Sequence, residues 1–489
     1  MKKYITVILT VIVLPFLNGC NDYLDVKPES SITSGSFWNS SDDCEAYLVG
    51  IYNRLRNTNI LNTTLYSEDR GDSFQQGEIG PVTEAWAQSL DASTAPSWSG
   101  FYNLIYHINR LLTEVENISF SDQDEENQLK AETYALRALA YFQMAKVWGD
   151  VPIVLTPTDD ANVELSARAD VNDVFTQINS DITTALSLFP DDGYDDKNHI
   201  SKPATYALLA DVKMWTGKVL GGGDTDFETA LDAIDKVENS GVSLLDDYAS
   251  IFSSTNKKND EIIFSLYFDY AERYDMYAKT LCSWNINVTG AINYDDLPVG
   301  GTIGGTPRHV YAPSEELKAA YAEYPEDVRT DVAMIDALIV TEGDTTVLLT
   351  SENKFRGTVY TDDRYYDDDI IVYRLADIIL LKAEALAALN RTSEAVSELN
   401  RIKERAGIPD YSGSTEKVAV EKEILNERWK ELFLELKRYP DLVRFHYGGT
   451  INIYDQVPNL NGKDGYPLYF PVEQSVMDNN DLIEQTEGY

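Results

Sequence analysis

The sequence predicts a mainly α protein: about four tetratricopeptide-like helix pairs, split by a long loop-rich insertion that carries small β-hairpins. Three observations lead there. First, apolar residues recur with helical period late in the chain, at Leu375, Ile378, Ile379, Leu386 and Leu389, then Ala395, Val396, Leu399, Ile402 and Ala406, then Ile424, Leu425, Trp429, Leu432, Phe433 and Leu436. Second, similar stripes fill much of the first 240 residues. Third, the period vanishes between about Gly241 and Asp369, where glycines, amides and aromatics take over.

The late stripes explain why helices should pair. Asn390 and Arg391 make the turn between the first two, and Thr392 or Ser393 offers an N-cap hydroxyl with Glu394 in the positive first turn. Gly407 and Pro409 stop the second. So short a link makes an antiparallel hairpin, and the small residues Ala383, Ala385 and Ala395 give it the spacing of a tetratricopeptide unit, which buries its apolar face only against neighbours. Upstream, helices are expected over Asp42–Arg56, Phe101–Glu116, Glu125–Trp148, Val171–Phe189, Pro203–Leu220 and Phe227–Glu238. Within the insertion, Glu261–Phe268 reads as a strand, and Ala337–Thr341 with Thr345–Leu349 brackets Glu342-Gly343-Asp344 as a hairpin. The expected organisation is a signal peptide over 1–19 and one domain over 20–489, with the helical scaffold at about 42–240 and 370–446, the insertion at about 241–369 and a tail over 447–489.

At the N-terminus, Lys2 and Lys3 precede an apolar run from Tyr4 to Leu17, the length of a secretory h-region. Leu17-Asn18-Gly19-Cys20 follows it in the pattern of a lipoprotein box, so Cys20 is expected to be the lipidated first residue of the mature chain. Later in the sequence nothing approaches about 18 consecutive apolar residues, the length needed to span a bilayer, so anchoring and not embedding is expected. Without Lys2 and Lys3, 38 basic residues face 81 acidic ones, a net charge of -43. That field opposes binding to phosphate backbones and anionic lipid surfaces. Besides Cys20 the cysteines are Cys44 and Cys282, open to pairing with each other or to burial as free thiols.

The runs Tyr373-Arg374-Leu375-Ala376-Asp377, Ala383-Glu384-Ala385, Glu427-Arg428, Glu431-Leu432, Glu435, Arg438 and Asp441-Leu442-Val443-Arg444-Phe445 resemble the C-terminal half of the SusD/RagB family. Cys20-Asn21-Asp22-Tyr23-Leu24-Asp25-Val26 with Pro28 fits its start, and Phe470-Pro471-Val472, Glu473, Asp481-Leu482, Gln485 and Gly488-Tyr489 its end. Thr486 stands where the family usually carries Asn. The resemblance implies a SusD-like fold and a non-catalytic outer-membrane lipoprotein, facing the cell exterior, that captures glycans for a SusC-like TonB-dependent transporter.

Two long non-helical regions are the candidate site. Asn57–Ser99 is roughly 40 residues of polar, glycine-bearing chain inside a helical protein, long enough to suggest function. Trp284–Arg308 is the second. Sugars are held by stacking an aromatic face on the apolar face of the ring while amides, carboxylates and guanidinium groups meet the hydroxyls. From the first region Arg70, Asp72, Phe74 and Trp86 are the candidates, and from the second Trp284, Asn293, Tyr294 and Arg308. Each Trp reads equally as a packing residue.

Catalytic alternatives find less support. His107, His199, His309 and His446 show no HExxH spacing, no GxSxG elbow is present, and Gly221-Gly222-Gly223-Asp224 lacks the Lys-Ser/Thr of a phosphate loop and reads as a turn. The acidic runs Asp191–Asp196 and Asp362–Asp369 offer oxygen ligands for Ca²⁺ but lack the EF-hand pattern and read as solvated loops. No cofactor is expected. A glycosidase needs only two carboxylates about 5 to 10 Å apart, so a secreted carbohydrate-active enzyme on a helical scaffold stands as the alternative.

Overall fold

The computed structural model describes residues 37–78, 80–158, 165–271, 288–300 and 309–489. Ten main helices form the scaffold. They are α1 (Ser41–Thr64), α2 (Ser99–Val115), α3 (Gln123–Trp148), α4 (Val171–Leu188), α5 (Lys202–Val219), α6 (Gly223–Glu238), α7 (Leu375–Ala388), α8 (Thr392–Arg405), α9 (Lys417–Glu431) and α10 (Arg438–Tyr447). α3 packs on α4, α5 on α6 and α7 on α8, and α7 also lies against α6 and α9, joining the two parts of the scaffold across the insertion. Every residue of α3 from Ala135 to Trp148 is buried, the signature of a helix enclosed on all sides.

Local chemistry accounts for several helix ends. Asp122, Asp170 and Ser201 cap α3, α4 and α5 by accepting from the backbone N–H of Asp124, Asn172 and Ala204, and Pro203 sits in the first turn of α5. Gly221 and Gly223, with φ of 77° and 59°, make the turn into α6. Four ends depart from expectation. α8 begins at Thr392 behind Arg391, without the hydroxyl cap expected there. α1 runs past Arg56 to Thr64 and continues as a π-helical segment over Leu65–Asp69, which lands the Tyr66 ring 5.1 Å from Tyr439 and 5.6 Å from Phe470. Tertiary contact there overrides the weak local signal. Residues Ile370–Arg374 are a strand, as their β-branched composition allows. The third C-terminal stripe breaks at Glu431: Leu434 and Leu436 adopt positive φ, held there as Leu436 N–H donates to Glu68 (2.6 Å) and the Phe433 carbonyl accepts from Lys354 (2.8 Å).

The insertion contributes small two-stranded sheets. β2 (Ile262–Leu266) pairs antiparallel with β8 (Ile370–Arg374), Leu266 opposite Ile370, tying the insertion to the start of α7. β4 (Met334–Thr341) and β5 (Asp344–Glu352) form the expected hairpin, with Glu342 and Gly343 at φ of 55° and 101°, the positive angles a two-residue turn demands. β1 (Phe74–Gln76) pairs with β3 (Tyr311–Pro313), and β6 (Thr358–Val359) with β7 (Arg364–Tyr365).

The charged residues of the C-terminal motif lie inside the protein. Arg374 is fully buried, and all five of its N–H groups are used: on Glu435 (2.7 and 2.8 Å), Glu261 (2.7 Å), Glu431 (2.6 Å) and the Glu431 carbonyl (2.7 Å). Arg329 and Arg405 also hold Glu431, and Lys354 holds Glu435. A second buried cluster joins Arg428 to Asp441 and Asp377, and Arg444 to Glu384 and Asp441. Buried charge is tolerated only when paired in this way. The charged residues of that C-terminal motif are therefore the interior frame of the fold.

Candidate functional site

The structure separates the residues predicted for the site. Arg70, Asp72 and Phe74 are interior, which corrects the surface role expected of them. Arg70 is wholly buried and donates to Gln88 (2.9 Å) and to the carbonyls of Pro467 and Leu468 (2.9 Å each), with its guanidinium over the Tyr439 ring at 4.8 Å. Asp72 forms a two-pronged pair with Arg438 (2.6 and 2.7 Å) and accepts from Gln456. Phe74 stacks on Tyr311 at 5.7 Å inside the insertion's own core. Trp86 is half-buried against that core and spends its N–H on the Phe74 carbonyl (3.2 Å). It packs, although it interrupts no helical stripe. Asn293 bonds the backbone of Asp336 and Leu338 in β4, and Tyr294 is half-buried against a small cluster with Val288, Leu297 and Leu349. Trp284, Arg308, Cys282 and Cys20 lie outside the described residues. Cys44 is a buried free thiol, its pKa pushed up by burial to about 11.

A different set of aromatics reaches the surface. Tyr267 and Tyr270, just beyond β2, are 42% and 43% exposed. Tyr270 meets Tyr360 at 4.7 Å and Tyr365 at 4.9 Å, both from the β6–β7 hairpin. Tyr365 is buried and backs the cluster, while Tyr360 is half-exposed and donates to Asp367 (2.9 Å). The acidic run expected to be a solvated loop is what holds this hairpin in place. Asp367 and Asp369 are buried, and Asp369 accepts from Asn198 and from the Phe268 N–H (3.0 Å each) and pairs with Lys257.

Beside Tyr267 opens a cavity of about 360 Å³ whose wall includes Tyr52, Arg56, Asn198, His199 and Lys258. Arg56 donates to the Tyr267 carbonyl (2.7 Å), and Lys258 pairs with Asp196 (2.8 Å). Glu132, buried on α3, accepts from Tyr52 (2.5 Å) and lies 3.0 Å from His199 Nδ1. Burial pulls the His199 pKa down, but the hydrogen bond and charge of Glu132, with Asp196 behind, outweigh it and leave the imidazole above its usual value. Tyrosine faces beside amide, imidazole, guanidinium and ammonium groups make a shallow surface suited to stacking and hydroxyl recognition. The sequence held one weak signal for it: Tyr270 and Tyr360 lie outside every apolar stripe, each within two residues of an acid, Asp269 and Asp362.

The architecture is that of a helical scaffold with a loop-bearing insertion, presenting a tyrosine-rich face. Comparison with known proteins identifies the class. One family model, described as starch-binding and associating with the outer membrane, matches residues 22–214, and the SusD family model matches residues 344–489. The chain belongs to the SusD family. SusD-like protein P38 of Formosa agariphila is 27% identical with both chains fully covered, and the starch-binding protein SusD of Bacteroides thetaiotaomicron is 23% identical over 100% of this chain and 99% of its own. Among solved structures, Bacteroides fragilis NanU superposes with a TM-score of 0.82 at 25% identity, covering 95% of this chain and 100% of its own. Among the described residues no helix is long and apolar enough to cross a membrane.

Proposed function

We propose that this protein is a non-catalytic, lipid-anchored surface protein that binds oligo- or polysaccharide at the face of Tyr267, Tyr270 and Tyr360 and hands it to a SusC-like TonB-dependent transporter. The observation that carries this reading is the exposure of Tyr267 and Tyr270, with Tyr360 in ring contact, beside a polar cavity. The starch-binding description of the matching family and the name of the Bacteroides thetaiotaomicron relative support a carbohydrate as the ligand. Cys20 supplies the anchor, and since one acyl chain gives only marginal binding, it carries at least two. The paired helices offer the rigid, extended side on which a barrel docks. Incubating the purified protein with soluble starch, laminarin, xylan and pectin, and scoring both retention and release of reducing ends, tests the reading. Retention without release is expected. Reducing-end release would instead mark a carbohydrate-active enzyme, and no retention by any of the four would count against the glycan reading.

A further inference from the structure

We propose that a second carbohydrate-binding site lies in the groove between the end of α3, the end of α10 and the C-terminal segment, and that it takes a neutral oligosaccharide. The inference rests on the glycan reading above. The groove encloses about 930 Å³, within the roughly 300–1,000 Å³ of small-molecule sites, and shares no lining residue with the cavity beside Tyr267. Four tyrosines face it: Tyr447, 48% exposed, and the half-buried Tyr454, Tyr466 and Tyr469. Nothing in the packing of α10 requires an aromatic at Tyr447, since the buried side of that helix ends at Phe445.

The groove is rigid before any ligand arrives. Tyr454 donates to the Tyr466 carbonyl (2.8 Å), and Tyr489 donates to that of Tyr469 (3.1 Å). Beneath them Arg70 grips the carbonyls of Pro467 and Leu468, so the guanidinium first read as a sugar ligand is the buttress of this wall. Arg168 is likewise spent on the carbonyls of Trp148, Asp150 and Glu484. With its one arginine committed to main chain and with Asp150, Glu484 and Glu487 in the lining, the groove disfavours an anionic sugar. Thr486, also in the lining, keeps a buried hydroxyl with no hydrogen-bond partner, a polar group still to be satisfied. Fixed aromatic faces, hydroxyls and carboxylates without a free cation suit the faces and hydroxyls of a neutral sugar.

Two sites on one molecule would hold a polymer more firmly than either alone. Affinity electrophoresis of the mature chain in gels of soluble starch, laminarin, xylan or pectin tests this with Tyr447→Ala, Tyr447→Phe, Tyr270→Ala and the double alanine variant. In a neutral-glycan gel that retards the wild type, Tyr447→Ala should weaken retention about tenfold, the loss expected for one aromatic contact. Tyr447→Phe should keep most of it, and the double variant should fall below either single one. Tyr447→Ala migrating as wild type in every gel that retards the wild type, or weakening retention in pectin alone, would overturn the second site and leave the first standing. A wild type retarded in none would remove the glycan reading and this inference with it.

Discussion

Replacing Arg374 by Met keeps a long side chain and removes one charge from the middle of the interior frame. In the native protein that guanidinium satisfies Glu261, Glu431 and Glu435 at 2.6 to 2.8 Å, each carboxylate fully or almost fully buried. Its loss does not leave all three alone, because Arg405 still reaches Glu261 and Glu431, Arg329 reaches Glu431 and Lys354 reaches Glu435. The Glu431 carbonyl likewise keeps Tyr248 and Lys354 as donors. The remaining cost is one uncompensated buried negative charge, about 3 to 5 kcal/mol for breaking a buried pair from one side. Urea unfolding at neutral pH measures it. Arg374→Lys should fall between, restoring the charge but not the five-pronged geometry. Removing Glu435 together with Arg374, as Gln and Met, should cost less than the two single losses added, because the pair shares one interaction. A loss below about 1 kcal/mol for Arg374→Met would refute the view that the motif charges frame the fold.

Further outcomes follow from the same structure. Burial works against ionising Glu384 and Asp377, but Arg444 and Lys218 around the first, and Lys437 and Arg428 around the second, outweigh it and hold both near pKa 2. Their stabilisation is complete above the unfolded carboxyl range of roughly 4 and drains away as pH falls from there towards 2, so unfolding midpoints should drop steeply across that window. Trp86→Ala should cost about 2 kcal/mol of stability, since the ring packs against Tyr311 and bonds Phe74, and should leave glycan retention unchanged in the folded protein. Cys20→Ala should release the protein from the outer-membrane fraction, and its persistence there would contradict lipid anchoring.

The helices were legible because an apolar stripe is a local signal, and turn residues such as Gly407 and Pro409 mark where it stops. The β4–β5 turn was legible for the same reason, in Glu342-Gly343. What the sequence hid was the long-range part. Asp69-Arg70-Gly71-Asp72 looks like a polar loop cluster, and only the fold brings Arg438 and the 467–468 carbonyls to it across almost the length of the chain. Polar composition marks a surface only when nothing distant pairs with it. The end of the acidic run at Asp362–Asp369 misled in the same way, since Lys257 and Asn198 arrive from far away to pair with the buried Asp369. Trp86 shows the limit of helical periodicity as a test for burial, because a loop packing on a small irregular core follows no period. Tyr267, Tyr270 and Tyr360 escaped notice because two flank strands and their exposure depends on how the β6–β7 hairpin folds over.

The most direct test of the account is calorimetric titration of the wild type and of Tyr270→Ala with whichever of soluble starch, laminarin, xylan or pectin the wild type retains, paired with urea unfolding of both. Tyr270 is 43% exposed, so its truncation should leave stability within about 1 kcal/mol while weakening binding by about 1 to 3 kcal/mol, the loss of one stacking face. Equal affinity for the two proteins, with both folded, would show that the glycan is held elsewhere and would contradict the assignment of this face.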